Sequence, residues 1–402
     1  MRQTAIFLPS RPTGTIAAPP SKSMAHRLLI CAGLANGESA VRGVAPADDL
    51  LATMDCLRAL GARCERDGSV VTVRGADVFS VSADTILPCG ESGSTLRFLI
   101  PLCLLGDKEI TLQGSAGLLR RPLSVYEALC RERGLFFARG ANTLRLRGPL
   151  KSGDYTIPGD VSSQFVSGLL FALPLLPGDS TLRLLPPVES RPYIDMTLSA
   201  MRDFGVAAAW QDALTLSVPG CQRYQPRDAA VEGDWSNAAC FLAMGVPVKG
   251  LDPNSLQGDR HCVSFFERLR NAPAEIDLSD CPDLGTILFA YAAAHCGGRF
   301  TGTRRLRDKE SDRITAMAAE LAKFGVSLSA GENAVTVGAG LHPPKAALDG
   351  HNDHRVVMAL AALCVKTGGT IVGAEAVAKS FPDFFERLQA LGVEAALCET
   401  GA

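Results

Sequence analysis

What the 402-residue chain lacks narrows its chemistry first. Positive charge is not in surplus: 40 Lys and Arg stand against 42 Asp and Glu, a formal net charge of −2. Binding to a nucleic-acid backbone needs a basic face, so no nucleic-acid partner is expected and any cationic site must be local. Long apolar runs are missing too. The stretches at 96–105, 165–177 and 356–365 fall short of the ~18 residues that span a bilayer, so no membrane partner is expected. The Ala5-Ile6-Phe7-Leu8 run is too short for a secretory signal, and no Arg/Ser-rich import peptide is apparent. Thirteen cysteines include no C-x-x-C pair, and Cys103, Cys240 and Cys364 stand inside apolar stretches, as small core residues of a reducing compartment do. The cytoplasm is the expected location. There is no G-x-x-x-x-G-K loop, no G-x-G-x-x-G and no G-x-S-x-G elbow. His351 and His354 flank Asn352-Asp353 without a Cys or His partner at metal-site spacing, so neither a metal nor an organic cofactor is expected. What remains is acid–base chemistry by carboxylates among anion-binding cations.

What is present is repetition. A helix-length stretch rich in Ala and Leu opens on polar residues and ends in Gly plus a short β-like run. It starts near Ser21, Glu91, Ser162, Trp235, Asp283 and Asn352, mostly about 70 residues apart, a period that signals an internal array. A second, amphipathic helix closed by Gly and a strand alternates with it, from Leu51, Leu123, Ile194 and Arg313, with poorer copies near Gly258 and Pro382. The last copy lacks its closing strand, whereas residues 4–18 hold strand-like segments without a helix, so the N-terminus is expected to complete the last unit. The fourth unit, near 50 residues, is expected to be trimmed. This predicts two similar domains, residues 15–226 and residues 1–14 plus 227–402, with the active site in the cleft between them. The two crossings suit a hinge. A solenoid without a cleft is the plainer alternative.

Polar residues concentrate at the starts of the first-type helices: Lys22, Ser23, Arg27; Gly93, Ser94, Arg97; Ser162, Ser163, Gln164; Asp283; His354, Arg355. Ser and Asp there are ordinary N-caps. Lys and Arg oppose the helix dipole, which an anion held between them would relieve. Further cations stand in loops before helices, in Arg120-Arg121-Pro122, Ser190-Arg191-Pro192-Tyr193, Arg307-Asp308-Lys309-Glu310-Ser311-Asp312-Arg313 and Lys379-Ser380-Phe381-Pro382. Such charge runs are also what solvated faces look like.

Six of these motifs resemble, in order and over essentially the whole chain, those of the 5-enolpyruvylshikimate-3-phosphate synthase family. They are Pro20-Ser21-Lys22-Ser23 with Arg27, Ser162-Ser163-Gln164, Ser190-Arg191-Pro192-Tyr193-Ile194-Asp195, Lys309-Glu310-Ser311-Asp312-Arg313, Asn352-Asp353-His354-Arg355 and Lys379-Ser380-Phe381-Pro382. The resemblance implies the α/β enolpyruvyl transferase fold, two domains each of three βαβαββ repeats around buried helices. It also implies transfer of an enolpyruvyl group from phosphoenolpyruvate to the 5-hydroxyl of shikimate 3-phosphate, by a monomer. By the same resemblance Ser23, Arg27, Ser162, Ser163, Ser190, Tyr193, Asp283 and Lys309 hold shikimate 3-phosphate. Arg121, Arg313, Arg355 and Lys379 hold phosphoenolpyruvate at Gly93, and Lys22 and Gln164 touch both. Glu310 protonates the methylene carbon, Asp283 takes the hydroxyl proton, and Lys22 helps phosphate leave. Glu91-Ser92-Gly93-Ser94 departs from the family's Asn-x-Gly-Thr, and Arg305 stands where relatives can carry a substrate-contacting Asn. With Gly93 unsubstituted, glyphosate is expected to bind the phosphoenolpyruvate site. Rival readings are a transferase acting on a UDP-amino sugar, an RNA-terminal phosphate cyclase, and a two-lobed anion-binding protein without catalysis.

Overall fold

Apolar helices and short alternating strands of this kind bury themselves as layers, each sheet covering one side of a helix pair. A computed structural model, describing residues 2–400, has that arrangement. The repeat is clearest at 85–147. Strand Thr85–Gly90 is followed by helix Gly93–Cys103, then strand Ile110–Gly114 parallel to the first. Helix Ser124–Arg133 leads into strands Phe136–Arg139 and Thr143–Arg147, the latter pairing antiparallel beside Ile110–Gly114. The same four-strand order recurs in four further sheets, with one two-stranded sheet besides.

The chain divides into two compact units, Pro20–Glu232 and Met1–Pro19 with Gly233–Ala402. Met1, Gly401 and Ala402 lie outside the described residues. The crossings fall at Pro19–Pro20 and Glu232–Gly233, later than the expected 14–15 and 226–227, and strand exchange is the reason. Strand Ile16–Ala17, which precedes the first helix, pairs with Val248–Lys249 in the discontinuous unit. Strand Ala229–Ala230 pairs instead with Glu38–Arg42 in the contiguous one. The trimmed fourth repeat is the two-stranded sheet. The last repeat is completed by Arg2–Phe7, inserted between Gly369–Val372 and Ala395–Thr400.

Each unit has its own core. At the centre of the contiguous unit lie helices Lys22–Leu34, Gly93–Cys103 and Ser163–Ala172. The other unit holds Trp235–Ala243, Gly285–Ala294 and His354–Thr367. They are apolar on nearly all sides, as fully buried helices must be. Small residues let them approach: a Cβ on Gly168 would meet the Arg97 carbonyl oxygen at 2.6 Å. The second-type helices, such as Asp48–Ala59 and Arg313–Lys323, are buried on one face only.

Strand Ile110–Gly114 leads into a short helix, Ala116–Arg120. Ser115 caps it by accepting a bond from the Leu118 amide at 3.1 Å.

Candidate active site

Lys22, Ser23, Gly93, Ser162, Ser163 and Gln164 lie at the starts of the contiguous unit's three buried helices, and Arg27 lies one turn further in. Ser190 and Tyr193 lie at the start of Arg191–Asp203, and Arg121 follows Ala116–Arg120. Ser21, Ser92 and Ser162 cap the three buried helices, accepting bonds from the amides of Met24, Thr95 and Gln164. Lys22 Nζ meets Asp49 Oδ2 at 2.7 Å. Arg27 is fully buried and held on three sides. Its Nε donates to Thr197 Oγ1 at 2.8 Å, and its two terminal nitrogens donate to the carbonyls of Ser23 and Tyr193 at 2.6 and 2.8 Å. Burial pushes its pKa down to about 10, with Tyr193 and Cys31 opposing, so it stays charged at neutral pH. Ser190 sits just before the Arg191–Asp203 helix with φ 57°, a left-handed conformation that turns the chain into Tyr193.

A second group in this unit surrounds Gly93. Gln164 accepts from Arg97 at 2.8 Å through its side-chain oxygen and donates to Ser94 Oγ at 2.9 Å through its amide nitrogen, which fixes its orientation. Arg121 folds over the turn: a Cβ on Gly93 would lie 2.6 Å from its guanidinium nitrogen. Only glycine leaves that space open. Glu91, the departure noted in this turn, is exposed, while Ser92 and Gly93 are buried.

The remaining predicted residues converge in the other unit. Asp283, on a short helical turn before Gly285–Ala294, meets Lys309 Nζ and Arg313 at 3.0 Å each. Arg313, only 2% exposed, also meets Glu310 at 2.7 Å and Asp353 at 2.9 Å. Lys379 Nζ donates to the Asn352 carbonyl at 2.7 Å. Burial raises the Asp283 pKa, but Lys309, Arg313 and Arg355 together outweigh it, so its carboxyl is held well below the ordinary range. Burial lowers the Lys309 pKa, partly offset by Asp283. Glu310, Asp353 and His354 offer ligand-type atoms within 4.8 Å of one another. Arg313 already engages both carboxylates, so a metal ion there would compete with a buried guanidinium.

Two site groups escaped the sequence reading. Asp49 partners Lys22 from 27 residues away; as half of an acidic pair at a helix start it looks like ordinary dipole compensation. Asp353, fully buried, caps His354–Thr367 through the Arg355 amide and also accepts from Ser311 and Arg313. Its motif was visible, but its hub role depends on a contact 40 residues back in sequence. Arg305 is buried and donates to the Ser279 carbonyl at 2.5 Å. A clamp also lies behind the Asn352 turn. Glu320 accepts from His351 at 3.0 Å, Lys323 at 2.8 Å and the Asp349 amide at 3.0 Å. His351 and Asn352 both adopt left-handed conformations, φ 50° and 51°.

The profile of the EPSP synthase family (3-phosphoshikimate 1-carboxyvinyltransferase) matches residues 8–388. The chain belongs to the EPSP synthase family. Among EPSP synthase relatives, the 3-phosphoshikimate 1-carboxyvinyltransferase of Clostridium kluyveri is 37% identical over 412 residues, 96% of each chain. That of Clostridium botulinum (strain Alaska E43) is 36% identical over 418 residues, again covering 96% of each. In fold, the chain is similar to the EPSP synthase of Acinetobacter baumannii, with a TM-score of 0.79 at 24% identity, covering 99% of this chain and 100% of that one.

Proposed function

We propose that the chain transfers the enolpyruvyl group of phosphoenolpyruvate to the 5-hydroxyl of shikimate 3-phosphate, giving 5-enolpyruvylshikimate 3-phosphate and phosphate. This is the 3-phosphoshikimate 1-carboxyvinyltransferase step of aromatic amino-acid biosynthesis. The family match over residues 8–388 carries this function. It favours neither the UDP-amino-sugar reaction, the cyclase, nor a non-catalytic binder.

Ser23, Arg27, Ser162, Ser163, Ser190, Tyr193 and Lys309 hold shikimate 3-phosphate. Arg121, Arg313, Arg355 and Lys379 hold phosphoenolpyruvate beside Gly93, with Lys22 and Gln164 reaching both. Two anions brought together must be neutralised by several cations before the ether bond forms. Glu310 delivers a proton to the methylene carbon of phosphoenolpyruvate. The 5-hydroxyl adds to the cation-like carbon and gives its proton to Asp283. In the second half the methyl carbon returns its proton to Glu310, the carbon–oxygen bond to phosphate breaks, Lys22 stabilises the departing phosphate, and the proton taken by Asp283 leaves with it. A carboxyl held as low as Asp283 is a weak base. The incoming anions draw Lys309, Arg313 and Arg355 toward themselves and so raise its basicity when it is needed.

The chain works as a monomer, which light scattering of the pure protein tests. Among the described residues no helix is long and apolar enough to cross a membrane. All thirteen cysteines are free thiols, consistent with work in the cytoplasm. The deciding measurement is phosphate release from phosphoenolpyruvate, expected only when shikimate 3-phosphate is added. Release driven equally by a UDP-amino sugar, or none at all, would overturn the assignment. Glu310→Gln should bind both substrates and lose turnover by about 10²-fold or more; normal turnover would remove Glu310 from its role.

A further inference from the structure

A line of buried polar side chains runs beneath the contiguous unit's cluster, and none of them has a part in the chemistry above. His26 lies on the helix that carries Lys22, Ser23 and Arg27, and it is completely buried. Its Nδ1 is 2.8 Å from Thr53 Oγ1, and Thr53 Oγ1 is 2.7 Å from Thr95 Oγ1. Thr95 Oγ1 donates to Ser92 Oγ at 2.7 Å, and Ser92 caps the helix that begins at Gly93. Both threonines also lie 3.3 Å from the carbonyl of Asp49, whose side chain holds Lys22.

Proton counting gives the line a direction. His26 Nε2 is buried with no hydrogen-bond partner. A bare ring lone pair is less costly there than a stranded N–H. The hydrogen therefore belongs on Nδ1, which donates to Thr53. Thr53 then donates to Thr95, and Thr95 to Ser92, each hydroxyl giving one proton and accepting one. Burial, reinforced by Lys22 and Arg27, holds the imidazole well below its usual range, so the ring stays neutral. Phe98 fixes it further, edge-on at 6.4 Å.

We propose that His26, Thr53, Thr95 and Ser92 form a buried hydrogen-bond relay that holds the Gly93 turn in register with the Lys22 helix. They are positioning residues for phosphoenolpyruvate. The relay rests on the assignment of the Gly93 turn to that substrate. The Lys22 helix has its own anchors, in the bonds of Arg27 to Thr197 and Tyr193. The body of the Gly93 helix is tied by Gln164 to Arg97 and Ser94, so what cutting the relay releases is its Ser92 cap, the end at which the Gly93 turn begins.

The test compares shapes that differ only in a hydroxyl. Thr53→Val and Thr95→Val should each raise the KM for phosphoenolpyruvate by about five-fold, the equilibrium worth of one ordinary hydrogen bond. The KM for shikimate 3-phosphate should stay within about two-fold. Thr53→Ser and Thr95→Ser keep the hydroxyl and should restore the wild-type value. The double valine variant should be no worse than either single one, because a line cut once is already cut. If valine prevents folding, Thr95→Ala, which is smaller, gives the same comparison with Thr95→Ser. The relay is refuted if the valine variants leave the KM for phosphoenolpyruvate unchanged, or if serine is as damaging as valine. Gly93→Ala serves as the control for the underlying assignment. If it too leaves that KM unchanged, the turn is not the phosphoenolpyruvate site; if it alone raises the KM, the site stands and the relay falls.

Discussion

At Gly93 a single hydrogen atom keeps two groups apart. In Gly93→Ala the added carbon meets the end of the Arg121 side chain, not backbone. Fold stability should barely move, because that guanidinium can swing away. On the proposed assignment of Arg121 to phosphoenolpyruvate, the swing removes one ligand, so the KM for that substrate should rise about ten-fold, one charge-assisted bond. Thermal unfolding together with steady-state kinetics checks both halves. Asp283 offers a pH test. Its carboxyl is lowered by Lys309, Arg313 and Arg355 when the site holds no substrate. On the proposed mechanism, substrate anions compete for the same cations and raise it. The acid limb of kcat should therefore lie at higher pH than that of kcat/KM for phosphoenolpyruvate. Coincident limbs would mean that the cations do not redistribute.

Helix starts are the recurring device at the scale of elements. Ser21, Ser92, Ser162, Asp234, Asp312 and Asp353 each cap a helix with a side-chain oxygen. This was legible in the sequence, since cap, apolar stretch and closing glycine all lie within one helix length. Contacts between elements were not. Nothing local ties Asp49 to Lys22, or Glu320 to His351 across 31 residues. Glu320 holds the left-handed turn that brings the Asn352 carbonyl to Lys379. Glu320→Gln keeps the shape but loses the ion pair with Lys323, and should cost about 1.5–3 kcal/mol of stability in denaturant. The KM for phosphoenolpyruvate should rise more than that for shikimate 3-phosphate. Equal changes in both would mean that the clamp supports the fold and not the turn.

For the molecule as a whole, the repeats and the return of the N-terminus to the last unit could be read from pattern. The exchange of strands at the crossings could not, because Ile16–Ala17 and Ala229–Ala230 are two residues long and carry no periodicity. Pro20–Glu232 is nonetheless a continuous unit with its own core. A fragment of residues 20–232 should unfold cooperatively, whereas one ending at 226 loses the strand beside Glu38–Arg42 and should melt lower. Equal melting temperatures would show that this strand adds nothing.

The other unit is sewn together from both ends of the chain, and this orders events during synthesis. Arg2–Phe7 is made before Pro20–Glu232, yet its neighbours Gly369–Val372 and Ala395–Thr400 are made after it. At ~5–20 residues per second, the first strand waits tens of seconds for its partners while the contiguous unit can already fold. The nascent chain thus carries an unpaired strand, alternating Ile6, exposed once folded, with Ala5 and Phe7, buried once folded, until Gly369–Val372 and Ala395–Thr400 have been made.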